Sequence, residues 1–576
     1  MTSSGTIFLF IFLHLLPSTY STSSKQSIPT VTNPILGTIH GAYINSTSNH
    51  TSEQFLGMPY ATPPIGKLRF SPASLWTTTY PNTSPFNSFG ADCWQGGKGY
   101  APDPSHTSQS EDCLTINVWR PTGTTASSKL SVMVWIYGGG FQGGSGAVRW
   151  WNGAALAANE NVIVVSLNYR VGALGFLASN ELAQESGQGN GGLNGIHDQI
   201  VALKWVQKYI EDFGGDSRSV TIFGQSAGGE SVCVLTLSPP AKKLFQRAII
   251  QSGPCAFSYW SPQNNSYALE LGRMVMEENN VSSIAELRKL PVDKITWPDG
   301  PSESQFFNGY FAPDGYVLLQ TPQELLINNA TGDDAVDVDV NAVVINPIDI
   351  LIGTTSMDGT LTFVYDSLPV PIHHWNYEYN MQTLYSERAE AVLAQYPLSR
   401  FQTETYNGAS YGYVRSDADR ALICPTIKLA KTFAQKLETV GSVYHYVFEY
   451  GSQISTCDIV HTSNPIVPRN ENVYWASHGT ENRLIFGTEY GPDISPTALT
   501  KHCSLKKDLV LSKQMGYFWS SFAKTGVPLV VDGVMNWPSV SGVNGDMSSM
   551  KIGGNTSVVK NYRRDDCEFW ESVVHV

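Results

Sequence analysis

The sequence predicts an α/β fold with a large, central, mostly parallel twisted sheet flanked by helices, and with loop insertions around a functional site. Its first evidence is a series of short strand-like runs, some of them apolar throughout, as in strands covered on both faces. These runs are Leu114–Trp119, Leu130–Ile136, Val162–Leu167, Val220–Phe223, Ala248–Gln251, Leu351–Gly353 and Val443–Glu449. The second is that helical stretches separate the runs, and such alternation is typical of a parallel sheet.

One of these helical stretches is Asn194–Phe213, which lies directly before the run Val220–Phe223. Its apolar residues recur at helical spacing, and the pair Gly214-Gly215 provides a helix end. The recurring residues are Ile196, Ile200, Leu203, Val206 and Ile210. Earlier in the chain, Phe55–Phe70 contains several prolines and is predicted to be extended.

Composition places the chain among globular, loop-rich proteins. Of its 576 residues, 42% are apolar, and there are 51 Gly and 32 Pro. The length suits several small domains or one large α/β enzyme, and because no repeat or low-complexity linker is visible, we expect a single domain over residues 23–576. The formal net charge is −13. Without a basic patch to neutralise phosphates, a nucleic-acid partner is not expected.

Residues 1–22 are interpreted as a secretory signal peptide. The apolar run Ile7–Leu16 precedes Pro17 and a Ser/Thr-rich stretch, although no Lys or Arg precedes the run. The run is too short to span a bilayer, and no other segment comes near the required length, so no transmembrane segment is expected. We therefore expect a secreted, extracellular glycoprotein. Its candidate glycosylation sites are Asn45, Asn49, Asn82, Asn264, Asn280, Asn329 and Asn555.

The motif Gly224-Gln225-Ser226-Ala227-Gly228 predicts a nucleophilic serine. A strand-like run precedes it and residues that can begin a helix follow, so Ser226 is expected on the sharp turn between them with its hydroxyl exposed. The flanking glycines allow neighbouring backbone to approach, and the helix start directs N–H groups toward negative charge. A plain Gly-Ser loop is the alternative, which the strand and helix disfavour.

A serine nucleophile needs a base and an acid that orients the base. Of the twelve histidines, His478 is favoured because it lies well after the serine in a polar, turn-prone segment beside glycine. His461 and His197 are the alternatives, interpreted as surface or structural residues. For the acid, Asp358 follows a strand end, where loops of open sheets carry function. Asp314, in Pro-Asp-Gly, is interpreted as a turn residue.

Three successive glycines, Gly138, Gly139 and Gly140, follow the run Leu130–Ile136. The tetrahedral intermediate of acyl transfer carries an oxyanion, which needs preorganised N–H donors. The glycine loop can supply such donors together with Ala227, and a flexible hairpin is the alternative reading.

Together these segments resemble the type-B carboxylesterase/lipase family of the α/β-hydrolase fold, which also contains cholinesterases, fungal lipases and inactive adhesion relatives. The resemblance runs from about Gly37 to Trp570. The motifs that carry it are Phe55-Leu-Gly-Met-Pro-Tyr-Ala61, Glu111-Asp-Cys-Leu-Thr-Ile-Asn-Val-Trp119, Tyr137-Gly-Gly-Gly-Phe141, Phe213-Gly-Gly-Asp216 and Phe223-Gly-Gln-Ser-Ala-Gly-Gly229.

The resemblance implies a serine carboxylic-ester hydrolase that forms an acyl-enzyme from a small-molecule ester, and we expect neither a cofactor nor a metal. The implied roles are Ser226 as nucleophile, His478 as base, Asp358 as acid, and the N–H groups of Gly139, Gly140 and Ala227 as oxyanion hole. The alternatives are a lipase acting on long-chain acylglycerols and an inert adhesion or scaffold protein of the same fold.

Several positions depart from the family pattern. Most members have Glu where this chain has Asp358, and many have Glu where it has Gln225. Cholinesterases carry a cation-binding Trp where this chain has Asp103, so a choline-ester specialist is not expected. The loop between Cys93 and Cys113, where lipases of the family have a lid, is rich in Gly, Pro and polar residues. It predicts a fixed rim, and hence hydrolysis of soluble short-chain esters without interfacial activation.

The chain has eight cysteines, which in an oxidising compartment suit two or three disulfides. The resemblance implies the pairs Cys93–Cys113 and Cys424–Cys567. It also allows a pair between Cys457 and Cys503. Cys233, on the helix after the serine, is expected to be a buried free thiol.

Overall fold

The computed structural model describes residues 28–45, 50–81, 85–96, 108–258, 264–295, 312–327, 348–359, 372–401, 408–451, 476–488, 506–529, 536–541 and 546–574. Several predictions fall outside these residues. They concern the signal peptide, residues 97–107 of the loop between Cys93 and Cys113, His461, Cys457, Cys503, Asn49, Asn82 and Asn329.

The strands are β1 Thr30–Asn33, β2 Gly37–His40, β3 Ala42–Asn45, β4 Thr51–Pro59, β5 Asp92–Cys93, β6 Gln109–Ser110, β7 Thr115–Pro121, β8 Leu130–Ile136, β9 Ile163–Leu167, β10 Gly215–Gln225, β11 Arg247–Gln251, β12 Asp349–Thr355, β13 Val443–Phe448, β14 Ser548–Ile552 and β15 Ser557–Lys560. Eleven of them form one sheet in the order β15-β14-β13-β12-β11-β10-β8-β9-β7-β4-β3. Two smaller pairings, β1 with β2 and β5 with β6, lie outside it.

The centre of the large sheet is parallel, from β9 through β8, β10, β11, β12 and β13 to β14. Antiparallel strands close it at both edges. The predicted fold class is thereby confirmed, and the strand-like runs of the sequence all fall on strands of this sheet. Because parallel strands end at the same edge, Gln225, Gln251 and Gly353 lie side by side near the carboxyl ends of β10, β11 and β12.

The helices are α1 Ala154–Glu160, α2 Gly172–Phe176, α3 Asn180–Ser186, α4 Asn194–Tyr209, α5 Ala227–Leu237, α6 Asn265–Glu278, α7 Ile284–Leu287, α8 Pro322–Ile327, α9 Tyr377–Tyr385, α10 Ala389–Gln395, α11 Gly408–Ala418, α12 Cys424–Lys436, α13 Glu481–Phe486, α14 Lys506–Thr525 and α15 Arg564–Val574. A π-helical turn, Asp419–Ile423, joins α11 to α12. Among the described residues, no helix combines the length and apolar character needed to cross a membrane.

The core forms where aromatic residues of the central strands meet the covering helices. Trp135 on β8 and Phe223 on β10 are fully buried, with ring centroids 4.9 Å apart. Phe486 of α13 packs edge-on against Trp135 at 5.1 Å. Helix α4 buries its predicted apolar positions and continues as a 3-10 turn that ends at Gly214, whose φ is 90°. These contacts make a rigid base under the carboxyl ends of the strands.

Three disulfides are formed in the described part of the chain. Cys93 is bonded to Cys113 and Cys424 to Cys567, as the resemblance implies. The third corrects the sequence analysis, because Cys233 is not a free thiol but is bonded to Cys255. Helix α5 packs against β11, and this packing brings Cys233 to within 5.8 Å, Cα to Cα, of the loop that follows that strand.

Four of the candidate glycosylation sites lie on described residues, and all four are exposed. They are Asn45, Asn264, Asn280 and Asn555. Asn264 also caps α6, since its side chain accepts a hydrogen bond from the N–H of Tyr267.

Candidate active site

Ser226 lies on a sharp turn between β10 and α5. Its φ of 59° and ψ of −130° are unusual for a residue with a side chain, and such strain is often found at functional positions. Two hydrogen bonds hold the turn, from the N–H of Ser226 to the Gln251 carbonyl at 2.9 Å and from the N–H of Glu230 to the Ser226 carbonyl at 2.8 Å.

The glycines on either side of the serine are required by close backbone packing. A Cβ on Gly224 would lie 2.5 Å from the carbonyl oxygen of Gly228, and a Cβ on Gly228 would lie 2.0 Å from that of Ile136. Neither contact can be relieved by turning a side chain, because the neighbouring atoms are backbone. The sharp turn therefore depends on glycine at both positions.

Asp358 and His478 are brought together by a short bridge between their preceding residues. Met357, just after β12, pairs in parallel with Ser477, and the N–H of Met357 donates to the carbonyl of Ala476 at 3.1 Å. With the two backbones aligned, the Nδ1 atom of His478 lies 2.8 Å from the Oδ1 atom of Asp358.

The second oxygen of Asp358 is also held. Its Oδ2 atom accepts a hydrogen bond from the Ser252 hydroxyl at 2.7 Å and one from the N–H of Thr355 at 3.1 Å. The carboxyl group is fully buried. Because donors surround both oxygens, the carboxylate has little freedom to turn and can fix the plane of the His478 ring.

The glycine loop after β8 contacts the serine turn. A Cβ on Gly138 would lie 2.9 Å from the Cβ of Ser226, so the loop passes directly beside the serine. Gly139 and Gly140 have φ values of 118° and 60°, which are left-handed conformations that glycine adopts without strain. This loop can therefore present backbone N–H groups to a group bound at Ser226.

Two stacked tyrosines hold the backbone where the glycine loop begins. The rings of Tyr137 and Tyr169 lie 4.3 Å apart. Each hydroxyl donates to the backbone carbonyl of the other residue, at 2.9 and 2.8 Å. The loop thus leaves β8 from a braced position and is not a free hairpin.

The alternative residues of the sequence analysis have other contacts. His197 is buried on α4, and burial, followed by the charge of Arg170, lowers its pKa to about 3. Asp314 accepts N–H groups of the turn that it begins, at 2.8 to 3.1 Å. The burial of His197 and the turn contacts of Asp314 fit the structural roles predicted for both residues.

Sequence reasoning missed several polar residues around His478. They are Ser252, Gln251, Glu481 and Asn482, together with the side chain of Gln225, whose Nε2 atom lies 2.8 Å from Nε2 of His478. Two features of the sequence point to these residues. Ser252 and Gln251 lie at the carboxyl end of a parallel strand, where functional residues collect, and Glu481 and Asn482 follow His478 within one helical turn.

Two buried carboxyl groups near the site have raised pKa values. Burial raises the pKa of Glu481 to about 8, and the charge of Asp358 adds to this effect. Burial also raises the pKa of Glu230 to about 8. Both are therefore mostly protonated at neutral pH. Within the described ranges, no group of three or more His, Cys, Asp or Glu side chains is arranged to hold a metal ion.

Comparison with known proteins defines the class. The model of the carboxylesterase family matches residues 25–570. The chain is 32% identical to a cholinesterase of Mus musculus over 559 residues, covering 90% of this chain and 83% of the relative. It is 30% identical to carboxylesterase 1D of Mus musculus over 573 residues, covering 94% and 93%. With an acetylcholinesterase of Electrophorus electricus it shares 31% identity over 632 residues, covering 98% and 90%.

The chain belongs to the carboxylesterase family, and its fold is the α/β-hydrolase fold of that family. It is a carboxylic ester hydrolase.

Proposed function

We propose that the protein is a secreted serine esterase that hydrolyses small soluble esters through an acyl-enzyme. Ser226 is the nucleophile, His478 the general base and Asp358 the acid that orients the base. The N–H groups of Gly139, Gly140 and Ala227 form the oxyanion hole.

The observation that carries this proposal is the contact between His478 and Asp358 beside the strained serine turn. The Nδ1 to Oδ1 distance is 2.8 Å, and Ser252 and Thr355 hold the other carboxylate oxygen. Such an acid keeps the proton on Nδ1, leaves Nε2 as the proton acceptor and stabilises the imidazolium that forms during the reaction.

The proposed reaction uses these groups in the following order. The hydroxyl oxygen of Ser226 attacks the ester carbonyl carbon while Nε2 of His478 takes the hydroxyl proton. The carbonyl oxygen becomes an oxyanion and accepts hydrogen bonds from the glycine loop and the start of α5. When the C–O bond to the alcohol breaks, His478 returns the proton to the leaving alkoxide. Water, giving a proton to Nε2 of His478, next attacks the acyl carbon; the bond from that carbon to the Ser226 oxygen breaks, His478 returns the proton to this oxygen, and the acid is released.

The preference for small soluble esters over choline esters rests on one residue and one loop. Gln225 is neutral at a position where many family members carry a carboxylate, so an attraction for a cationic alcohol group is lost. The loop closed by Cys93–Cys113 has two prolines, Pro102 and Pro104, in a sequence of poor helix propensity. A loop of this kind suits a fixed rim better than an apolar lid that opens at an oil surface. The signal-like leader and the exposed sequons support secretion.

The test is covalent labelling with an organophosphate ester, followed by peptide mapping and by kinetics of the Ser226→Ala variant. We expect a label on Ser226 and a loss of turnover of at least about a thousandfold in the variant. Ser572→Ala is the matched control, because Ser572 is an exposed serine on α15, and it should keep wild-type turnover. Residual activity of Ser226→Ala above a thousandth of wild type would contradict the assignment. A folded wild-type protein that takes no label would favour the inert scaffold.

A further inference from the structure

The side chain of Gln95 holds the far end of the glycine loop. Gln95 follows Cys93 closely, at the base of the segment that the Cys93–Cys113 disulfide closes. Its Oε1 atom accepts a hydrogen bond from the N–H of Gly144 at 2.9 Å, and its Nε2 atom donates to the carbonyl of Gly144 at 3.1 Å. Nε2 also donates to the carbonyl of Cys93 at 3.0 Å. One amide group therefore holds both backbone polar groups of Gly144 and connects them to the disulfide.

Gly144 in turn packs against the peptide group that carries the first proposed oxyanion donor. A Cβ on Gly144 would lie 2.6 Å from the carbonyl oxygen of Gly138 and 2.5 Å from a ring carbon of Tyr137. The Gly138 carbonyl and the Gly139 N–H belong to one planar, trans peptide group, so they turn together. A displacement of Gly144 would therefore change the direction of the Gly139 N–H.

The second proposed donor is held in a similar way. The carbonyl of Gly139 shares a peptide group with the N–H of Gly140, and it accepts a hydrogen bond from the N–H of Gly143 at 3.2 Å. Gly139 also packs against the carbonyl of Gly143, because a Cβ on Gly139 would lie 2.3 Å from that oxygen. This carbonyl shares its peptide group with the N–H of Gly144, whose acceptor is Gln95. The direction of the Gly140 N–H thus depends on the peptide that Gln95 holds.

The loop has a second point of attachment beyond Gly144. The Oδ1 atom of Asn168 accepts a hydrogen bond from the N–H of Gly146 at 2.8 Å. Loss of the Gln95 amide would therefore loosen the loop around Gly144 without releasing it altogether. The amide is also the group that Gly144 requires, because it offers one acceptor and one donor side by side.

We propose that Gln95 is a positioning residue for the oxyanion hole, which directs the N–H groups of Gly139 and Gly140 by holding Gly144. The proposal rests on the proposed function, in which these N–H groups bind the oxyanion. Gln95 acts through the loop backbone, so its loss should weaken hydrogen bonds to the transition state and leave binding of the intact ester nearly unchanged. An oxyanion forms in both acylation and deacylation, and both steps should slow together.

The primary test compares kcat and KM of Gln95→Met with those of the wild type. Methionine has a similar length but offers no amide donor or acceptor. Removal of one oxyanion donor costs about 10²- to 10³-fold in kcat. Because Asn168 still holds the loop, we expect a smaller fall in kcat, of about tenfold or more, with KM changed by less than about threefold.

Gln109→Met is the matched control for this comparison. The Gln109 side chain accepts the backbone N–H of Gln95 at 3.1 Å and donates to the carbonyl of Gly96 at 3.4 Å, so in the described part of the chain its amide supports the same segment without contacting Gly144. Its kcat should stay within about twofold of wild type. A wild-type kcat in Gln95→Met, or an equal fall in both variants, would overturn the proposal.

A transition-state analogue reports on the oxyanion hole more directly. When a trifluoromethyl ketone binds, the Ser226 oxygen forms a bond to the ketone carbon, the hydroxyl proton passes to Nε2 of His478, and the ketone oxygen becomes an oxyanion. In Gln95→Met the inhibition constant should rise by about the same factor by which kcat/KM falls. An unchanged inhibition constant would contradict the assigned role, because a purely structural defect does not weaken this contact selectively.

Hydrogen exchange followed by mass spectrometry does not depend on turnover. In the wild type, the N–H groups of Gly143, Gly144 and Gly146 all have acceptors, so a peptide that covers residues 138–146 should exchange slowly. This peptide should exchange faster in Gln95→Met and at the wild-type rate in Gln109→Met. Exchange in Gln95→Met at the wild-type rate would refute the proposal. Unprotected exchange in the wild type would refute it even if Gln95→Met did not fold.

The two proposals fail in different ways. If Ser226 is not the nucleophile, Ser226→Ala keeps its activity whatever Gln95→Met does. If only the role of Gln95 is wrong, Ser226→Ala is inactive while Gln95→Met turns over like the wild type.

Discussion

Replacing Glu481 by Gln should reduce the stability that the protein loses as pH rises from 6 to 8. Glu481 is fully buried at the start of α13, and burial together with the charge of Asp358 raises its pKa from 4.5 to about 8. In the unfolded chain the carboxyl group loses its proton at the lower pKa. Between the two values, the folded state holds a proton that the unfolded state has lost, so stability falls as pH rises through this window.

The size of the effect follows from the difference between the two pKa values, which is about 3.5. Each pKa unit corresponds to about 1.4 kcal/mol, so the unfolding free energy lost between the two pKa values is at most about 5 kcal/mol. Between pH 6 and 8, wild type should lose about 2 kcal/mol more unfolding free energy than Glu481→Gln, because the amide does not titrate. Glu230, whose pKa is also raised, is present in both proteins and cancels in the comparison.

The assay is urea denaturation at pH 6, 7 and 8, followed by tryptophan fluorescence. Glu387→Gln serves as the control, since Glu387 is exposed, and its stability should follow wild type at every pH. If wild type and Glu481→Gln lost equal stability between pH 6 and 8, Glu481 would not be a buried, protonated carboxyl group, and the reasoning would fail.

Three further predictions concern the catalytic acid, the third disulfide and the rim loop. Asp358→Asn should lower kcat by about 10⁴-fold, because the amide no longer selects the reactive tautomer or stabilises the imidazolium; an unchanged kcat would identify another carboxylate as the acid. The double variant Cys233→Ala/Cys255→Ala should lose about 3 kcal/mol of stability, since the bond closes a loop with a sequence separation of 22; equal urea midpoints would show that the bond is absent or unimportant. Because the loop between Cys93 and Cys113 is expected to be a fixed rim, the rate of hydrolysis of a sparingly soluble ester should follow ordinary saturation across the solubility limit of the ester. A sharp rise in rate at emulsion formation would instead indicate a lipase.

Much of the fold follows from local patterns. Leu130–Ile136 is apolar throughout because β8 is covered on both faces, and the strand has the bounds that the pattern predicts. The glycines around Ser226 can be recognised in the sequence because the turn tolerates no Cβ at those positions. The catalytic roles of Ser226, His478 and Asp358 stay predictions, but a histidine and a carboxyl group expected to cooperate do lie in contact.

By itself, then, the sequence determined the fold class, the family, the serine turn and the glycine loop, because each depends on neighbouring residues whose spacing is visible in the chain. Only the tertiary structure decided which distant side chains meet there. The bond between Cys233 and Cys255 depends on how α5 packs against β11, which no spacing rule contains. His478 and Asp358 lie 120 positions apart in the chain, and they meet because Met357, just after β12, pairs with Ser477 once these segments are packed together.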